Sequence, residues 1–183
     1  MKNKLSILIG TMSIMTGCGT GQSPKLGKDP IDKVIDAMTL EEKARVLIGT
    51  GQPGISTDTD LNMDSLIREC RNMVPGAAGT TFPIDRLGIP AVVLTDGPAG
   101  VRIDAHREDS DETYYCTHFP IATLLSATWD QELVEKVGAA IGNEVLEYGA
   151  DVLLAPALNI HRHPLCGRNF EYFSEDPYVA GEM

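Results

Sequence analysis

The sequence predicts an α/β fold, and two apolar runs that flank one long amphipathic helix are the observations behind this prediction. Residues 91–95 are a short continuous apolar run, and residues 150–156 are apolar apart from Asp151. Such runs are typical of strands buried on both faces. Between them, apolar residues recur at helical spacing from Trp129 to Tyr148, and Gly149 ends the helix. The apolar face of this helix consists of Leu133, Val137, Ala140, Ile141 and Val145. A strand, a helix and a second strand form a βαβ unit, so the two strands should run parallel.

Residues 1–17 indicate a lipoprotein signal peptide. Lys2 and Lys4 precede an apolar run at 5–15 that is too short to span a membrane. The sequence MTGC at 15–18 resembles the lipobox of bacterial lipoproteins, in which the cysteine is lipidated. We therefore expect a lipid on Cys18 to anchor an exported protein to the bacterial cell envelope, at its periplasmic or outer-membrane face. An ordinary secretory signal is the alternative.

The next segment, residues 18–28, is rich in glycine, serine, proline and lysine, which predicts a flexible tether in front of the domain. A helix is expected to follow, with Pro30 at its first position. Thr39 and Glu42 have the spacing of a capping box, which predicts the start of a second helix that ends at Gly49.

Three further segments are less regular. Residues 61–73 mix apolar and charged side chains, and their sequence leaves the secondary structure open. Residues 74–81 are small and turn-forming, which is compatible with a close backbone approach. Residues 104–117 are hydrophilic and contain five acids, so we expect an exposed loop.

Polar loops follow both predicted strands. Asp96 and the glycine-rich loop 97–102 follow the first strand, and residues 159–173 follow the second. Barrels and doubly wound sheets place their chemistry at the carboxyl ends of parallel strands. We therefore expect these two loops to face the same side of the sheet.

The segment 165–177 combines a glycine, an arginine, an amide, three carboxylates and three aromatic rings. Arg168 offers a rigid fork of donors that suits paired hydroxyls or a carboxylate. Aromatic faces beside acids and amides are typical of sugar sites, because a pyranose ring has apolar faces and hydroxyl edges. The alternative is that Phe170, Tyr172 and Phe173 belong to the core and that the end of the segment caps the next helix.

The composition argues against several kinds of partner and site. The formal net charge is −11 and no lysine or arginine run could follow a phosphate backbone, so we expect no nucleic-acid partner. His106 and His118 are isolated and the cysteines lack metal-ligand spacing, so we expect no metal site and no cofactor. After the signal peptide is removed, Cys70, Cys116 and Cys166 are an odd set beside the lipidated cysteine, which predicts free thiols or at most one disulfide.

Four segments together carry a resemblance to a known enzyme family. They are VPGAAGTT at 74–81, LTDGPAGVR at 94–102, SATWD at 126–130, and LAP at 154–156 continued by GRNFEYFSEDP at 167–177. On these segments, residues 29–183 resemble the N-terminal part of glycoside hydrolase family 3, the β-glucosidase and β-xylosidase group. The resemblance implies the N-terminal part of a (β/α)8 TIM-like barrel, incomplete in this chain. The sequence stops within a predicted helix after Pro177, and we expect the chain to be a fragment.

The resemblance also implies an activity. The family hydrolyses O-glycosidic bonds with retention and releases a terminal non-reducing β-D-glucosyl or similar residue from an oligosaccharide or β-glucoside substrate. Asp96 and Arg168 match the family's sugar ligands, so both are expected to bind substrate through charge-assisted hydrogen bonds. In the family, the nucleophile and the acid/base lie further along the chain. We therefore expect no catalytic residue within residues 1–183 and no turnover by the fragment itself.

Two alternatives remain open. β-N-Acetylhexosaminidases of the same family usually carry DEGG or QEGG where this chain has DGPAG at 96–100, so the Gly-Pro version favours the glucosidase and xylosidase group. The second alternative is a sugar-binding lipoprotein without catalysis. A partial barrel would expose open strand edges, which disfavours this alternative.

Overall fold

The computed structural model describes residues 23–50 and 65–183. These residues form a mixed α/β structure with six α-helices and one three-stranded sheet. The helices are α1 (Ile31–Ala37), α2 (Leu40–Ile48), α3 (Ser65–Asn72), α4 (Ala122–Ser126), α5 (Gln131–Tyr148) and α6 (Pro177–Glu182). The strands are β1 (Gly79–Thr80), β2 (Val93–Asp96) and β3 (Val152–Leu154). Short 3₁₀ helices occupy Asp85–Leu87 and Asn169–Glu171.

The sheet has the order β1-β2-β3, with β1 antiparallel to β2 and β2 parallel to β3. The parallel pair confirms the βαβ unit that the sequence predicts. Ile141 and Val145 of α5 belong to the same buried cluster as Val93 of β2. The long helix therefore packs against the parallel pair, and its burial holds the ends of β2 and β3 in place.

The ends of α2 and α5 agree with the sequence prediction. Thr39 Oγ1 accepts a hydrogen bond from Glu42 N at 3.2 Å, and Glu42 Oε2 accepts one from Thr39 N at 2.8 Å. The carboxylate of Asp130 caps the first turn of α5. Gly49 and Gly149 end α2 and α5 with φ angles of +64° and +79°, which glycine adopts without strain.

Two findings concern segments whose sequence is less regular. The helix α3 occupies part of residues 61–73. The strand β1 lies within the turn-forming segment and is created by pairing with β2, for example through the bond from Ala78 N to Leu94 O at 2.8 Å. The close backbone approach expected there occurs at Gly76, where a Cβ would lie 2.3 Å from the backbone nitrogen of Asp104.

Three expectations about burial and boundaries are wrong. Val152 and Leu154 of β3 are 38% and 45% exposed, because they point to the sheet face opposite Leu153, which packs against the cluster that contains the α5 residues. Leu133 is 40% exposed, since the packed face of α5 passes through its neighbour Val134 instead. Pro30 is the N-cap of α1 and not its first helical residue.

The packed part of the chain begins earlier than the end of the predicted tether. Leu26 N donates a hydrogen bond to Leu87 O at 2.8 Å, and Lys25 Nζ donates one to Asp85 O at 2.9 Å. Because these bonds attach Lys25 and Leu26 to the 3₁₀ helix at Asp85–Leu87, this part of the predicted tether belongs to the fold.

The predicted signal peptide and the lipidated Cys18 lie outside the described residues. Within residues 23–50 and 65–183, no helix combines the length and the apolar character needed to cross a membrane. Cys70 is buried, Cys116 is half-buried and Cys166 is exposed, and all three are free thiols.

Candidate functional site

A cavity of about 510 Å³ opens where β2 and β3 end. Asp96, the last residue of β2, lines this cavity together with the loop 97–102 and residues 116–118. Arg168 and Glu171, on the loop that follows β3, line the same cavity. The expectation that the loops after the two parallel strands face the same side of the sheet is therefore confirmed.

The loop after β2 is folded tightly onto itself. Gly100 N donates to Gly97 O at 3.2 Å, and Arg102 N donates to Asp96 O at 3.0 Å. Thr95 Oγ1 donates to Arg102 O at 2.8 Å. A Cβ at Gly97 would lie 1.8 Å from the carbonyl oxygen of Gly100, so this turn requires glycine. The loop thereby fixes the backbone on both sides of the Asp96 carboxylate.

Arg102 is a cavity residue that the sequence analysis did not select. Its Nη1 lies 3.6 Å from Oδ2 of Asp96, and the two side chains are 70% and 41% exposed. An ion pair this exposed contributes little to the free energy of unfolding. Breaking the pair so that either side chain can bind a ligand therefore costs little. The signal that could have found Arg102 is its place at the end of the same loop motif as Asp96.

Residues 116–118 form another wall of the cavity. Phe119 N donates to Ala99 O at 2.8 Å, which joins this wall to the loop after β2. Thr117 N donates to the carboxylate of Glu144 on α5 at 3.1 Å. The wall is thus anchored both to the glycine-rich loop and to the long helix, and it contributes His118 to the cavity.

Arg168 forms an ion pair with Glu171 through Nε and Oε1. The Arg168 side chain is 69% exposed, whereas the Glu171 side chain is 10% exposed. The hydrogen bond from Arg168 to the carboxylate of Glu171 raises the pKa of the guanidinium, so Arg168 stays charged. Its two Nη groups donate no hydrogen bond to the described residues, which leaves them available to a ligand in the cavity.

The short turn that carries Glu171 is held from two directions. His161 Nε2 lies 2.8 Å from Asn169 O and 3.0 Å from Tyr172 O. Thr123 Oγ1 of α4 donates to Tyr172 O at 2.8 Å. These contacts hold the backbone two residues before and one residue after Glu171. Nothing in the sequence around His161 indicates this role, because its partners are backbone carbonyls.

The aromatic residues of the segment 165–177 agree in part with the alternative interpretation, in which they belong to the core. Tyr172 and Phe173 are buried, at 6% and 9% exposure, and belong to the interior, while Phe170 is 57% exposed. None of the three rings lines the cavity. The end of the segment caps α6, where Asp176 Oδ1 accepts a hydrogen bond from Tyr178 N at 2.7 Å.

The cavity therefore combines two carboxylates and two guanidinium groups, from Asp96, Glu171, Arg102 and Arg168. Carboxylates accept hydrogen bonds from neighbouring hydroxyls, and guanidinium groups donate to them, in each case with the strength of a charge-assisted bond. The arrangement suits a small, neutral and polyhydroxylated ligand. Within residues 23–50 and 65–183, no group of three or more His, Cys, Asp or Glu side chains could hold a metal ion.

Residues 43–183 match the family model described as glycosyl hydrolase family 3 N terminal domain. Thermostable beta-glucosidase B of Acetivibrio thermocellus is 43% identical over 156 residues, which cover 84% of this chain and 17% of that protein. Beta-glucosidase B of Emericella nidulans is 48% identical over 159 residues, which cover 87% of this chain and 15% of that protein. The exo-alpha-(1->6)-L-arabinopyranosidase of Bifidobacterium longum is 45% identical over 102 residues, which cover 54% of this chain and 14% of that protein.

Solved structures show the same similarity. Beta-glucosidase 3B from Thermotoga neapolitana in complex with alpha-D-glucose superposes with a TM-score of 0.71 and 52% identity, covering 84% of this chain and 20% of that one. Beta-glucosidase from Kluyveromyces marxianus in complex with glucose gives a TM-score of 0.59 and 32% identity, covering 85% of this chain and 15% of that one. The chain thus spans one fifth or less of the length of these relatives.

Proposed function

The chain belongs to glycosyl hydrolase family 3, and we propose that it supplies part of the sugar-binding site of an enzyme that releases terminal non-reducing β-D-glucosyl residues. The observation that carries this proposal is the shared cavity, which brings Asp96 and Arg168 together although they lie on the loops of different strands. The names of its relatives support the choice of sugar, because several of them are β-glucosidases.

In this proposal, the cavity binds the sugar ring by its hydroxyl edge. Asp96 accepts hydrogen bonds from neighbouring hydroxyls, and the free Nη groups of Arg168 donate to others. Arg102, which is exposed beside Asp96, supplies further donors. Such contacts favour catalysis when they hold the ring in a reactive geometry and strengthen as it distorts toward the oxocarbenium-like transition state.

We further propose that β2, α5 and β3 are part of a (β/α)8 barrel completed by other segments of a longer polypeptide. The exposed apolar residues of β3, Val152 and Leu154, support this proposal because parallel strands are normally covered on both faces. The lengths of the relatives support it as well, since each matches this chain over one fifth or less of its own length.

The catalytic carboxylates are proposed to come from outside residues 1–183. Retention requires a nucleophile and an acid/base about 5 to 5.5 Å apart, and both must be free to act on the sugar. Glu171 is a poor candidate for either role, because its buried carboxylate is already bound to Arg168. Asp96 is assigned to the sugar hydroxyls, so neither carboxylate of the cavity is taken as the nucleophile.

The test uses the complete polypeptide and aryl glycosides that differ only in the sugar. We expect hydrolysis of the β-D-glucoside to exceed that of the β-D-xyloside, the α-L-arabinopyranoside and the N-acetyl-β-D-glucosaminide. Proton NMR of the first product should show the β anomer of glucose, as retention requires. Preference for the N-acetylglucosaminide would establish the hexosaminidase alternative, and first release of the α anomer would contradict retention. Glucose binding without hydrolysis of any glycoside would indicate the non-catalytic alternative.

The N-terminal segment leads to a proposal about location. We propose that the protein is exported and anchored by a lipid on Cys18, which the charge, apolar run and MTGC sequence of residues 1–18 support. The protein should therefore sediment with the bacterial membrane fraction. Cys18→Ser should release it into the soluble envelope fraction, and unchanged sedimentation would contradict the anchor.

A further inference from the structure

Glu171 is the only carboxylate residue classed as buried among residues 23–50 and 65–183, with 8% of its surface exposed. A buried carboxylate is unfavourable unless a hydrogen-bonded partner compensates its charge. The partner here is Arg168, which lies three residues earlier and bonds through Nε. Because the pair lies at the sugar-binding cavity and not in the core, its position has a consequence for ligand binding.

The pair divides the guanidinium of Arg168 into two edges. The Nε edge is held by Glu171, while both Nη groups donate no hydrogen bond to the described residues. The Arg168 side chain is 69% exposed and lines the cavity. An arginine side chain has many rotamers, so a free guanidinium would lose entropy on binding a ligand. A guanidinium whose Nε is already hydrogen-bonded loses less conformational entropy when a ligand binds.

The position of Glu171 is itself restricted by hydrogen bonds to the neighbouring backbone. The carbonyls of Asn169 and Tyr172, on either side of it, are held by His161 Nε2 at 2.8 and 3.0 Å. Thr123 Oγ1 holds the Tyr172 carbonyl from α4 at 2.8 Å. The carboxylate is thus attached to a backbone turn that two other parts of the chain keep in place.

We propose that Glu171 is a positioning residue, which holds Arg168 by its Nε edge so that the Nη edge is presented to the hydroxyls of the bound sugar. This role rests on the proposed function, in which Arg168 is a sugar ligand. Glu171 acts through Arg168 and makes no contact with the reacting bond.

The test is a double-mutant cycle in the complete polypeptide, with kcat and KM measured on the aryl β-D-glucoside. Glu171→Ala should lower kcat/KM roughly 10- to 100-fold, the usual cost of losing a charged hydrogen bond. Glu171→Gln retains an acceptor oxygen and should recover part of this loss. In the Arg168→Ala background, neither substitution at 171 should lower kcat/KM further. Glu132→Gln is the matched control, because Glu132 pairs with Lys136 on the exposed face of α5, and it should leave kcat/KM unchanged.

Three outcomes would overturn the role. Glu171→Gln with wild-type kcat/KM and pH profile, together with the same kinetics for Glu171→Ala, would remove the residue from the site. An equal loss from Glu171→Ala with and without Arg168 would show that Glu171 acts directly. Restoration of Glu171→Ala activity by added azide or formate would identify a catalytic carboxylate instead of a positioning one.

A crystal structure of the Glu171→Ala polypeptide, in which Arg168 has no acceptor at position 171, separates this proposal from the proposed function. If the wild-type protein hydrolyses no glycoside, the proposed function fails, and the position of the Arg168 guanidinium still decides the role of Glu171. We expect the guanidinium to leave its wild-type position or to become disordered. An unchanged, ordered guanidinium would contradict the proposed role.

Discussion

Asp96 and Leu154, the last residues of β2 and β3, lie directly opposite each other in the parallel register. The two strands therefore end at the same level, and the loops that leave them share one cavity. This register is the reason why Asp96 and Arg168, 72 residues apart in the chain, line the same cavity.

Asp96→Ala and Arg168→Ala should each lower kcat/KM for aryl β-D-glucosides by roughly 100-fold, since each removes charged contacts worth about 3 kcal/mol. Asp109→Ala is the control, because Asp109 is an exposed acid of the neighbouring loop. Steady-state kinetics on the complete polypeptide would check this. Unchanged kinetics in either variant would remove that residue from the site.

Gly97→Ala should damage the cavity even though it adds only a methyl group. The new Cβ would lie 1.8 Å from the carbonyl oxygen of Gly100, so the loop after β2 must open. Glucose affinity, measured calorimetrically, should fall by an order of magnitude or more. Gly142→Ala on α5 is the matched control: its Cβ meets no atom within 4 Å, and the helix should gain about 1 kcal/mol. Equal glucose affinity in the Gly97→Ala and Gly142→Ala variants would contradict the close contact within the loop after β2.

The Glu42–Arg86 ion pair should make folding stability depend on pH in the acid range. The hydrogen bond from Arg86, with the bond from the Thr39 backbone, lowers the pKa of Glu42 from 4.5 to about 2. Since the folded-state pKa is depressed, the stabilisation is present above about pH 4.5 and is lost as the pH falls toward 2. Glu42→Gln should lower the Tm at neutral pH, and this difference should disappear near pH 2.

The control for that experiment is Glu41→Gln, because Glu41 forms an exposed i,i+4 pair with Arg45. Its effect on the Tm should be small at every pH. If the Tm of Glu42→Gln and that of the wild type differ by the same amount at neutral pH and near pH 2, ionisation of Glu42 does not cause the pH dependence of stability.

His161 should be required for the turn that carries Glu171. Both partners of Nε2 are carbonyl oxygens, so this nitrogen must carry the hydrogen. His161→Ala should cost about 1 to 3 kcal/mol of stability and should weaken glucose binding, because the turn around Glu171 loosens. His161→Gln offers an amide donor and should restore part of both. The exposed His106→Ala should change neither, and glucose affinity that His161→Ala leaves intact would contradict the coupling to the site.

The free thiols should react with iodoacetamide in the order of their exposure. Cys166 is exposed and should be alkylated first, whereas Cys70 is 2% exposed. Burial, with a contribution from the charge of Glu69, also raises the pKa of the Cys70 thiol, so less reactive thiolate is present. Peptide mass spectrometry over time would give the order. Alkylation of Cys70 as fast as Cys166 in the folded protein would contradict the packing of α3.

The predictions that succeeded concern interactions between residues close in the chain. The capping box of Thr39 and Glu42 spans three residues, and the αL conformation at Gly149 is a local property of glycine. The parallel pairing of β2 and β3 also followed from the sequence, because an intervening helix leaves few other connections. Apart from the start of α1 at Pro30, the predictions that failed concern burial, such as that of Leu133, which depends on what packs against a helix face.

By itself, the sequence determined the α/β class, the ends of α2 and α5, the two loops expected to meet, and Asp96 and Arg168 as candidate sugar ligands. The tertiary structure alone decided the pairing of β1, the exposure of β3, the place of Arg102 in the cavity and the choice of Glu171 as partner of Arg168. The physical reason is the range of the interactions. Helix caps and hydrophobic periodicity depend on residues within about one helical turn. The hydrogen bond from Thr123 Oγ1 to the Tyr172 carbonyl, in contrast, joins residues 49 positions apart.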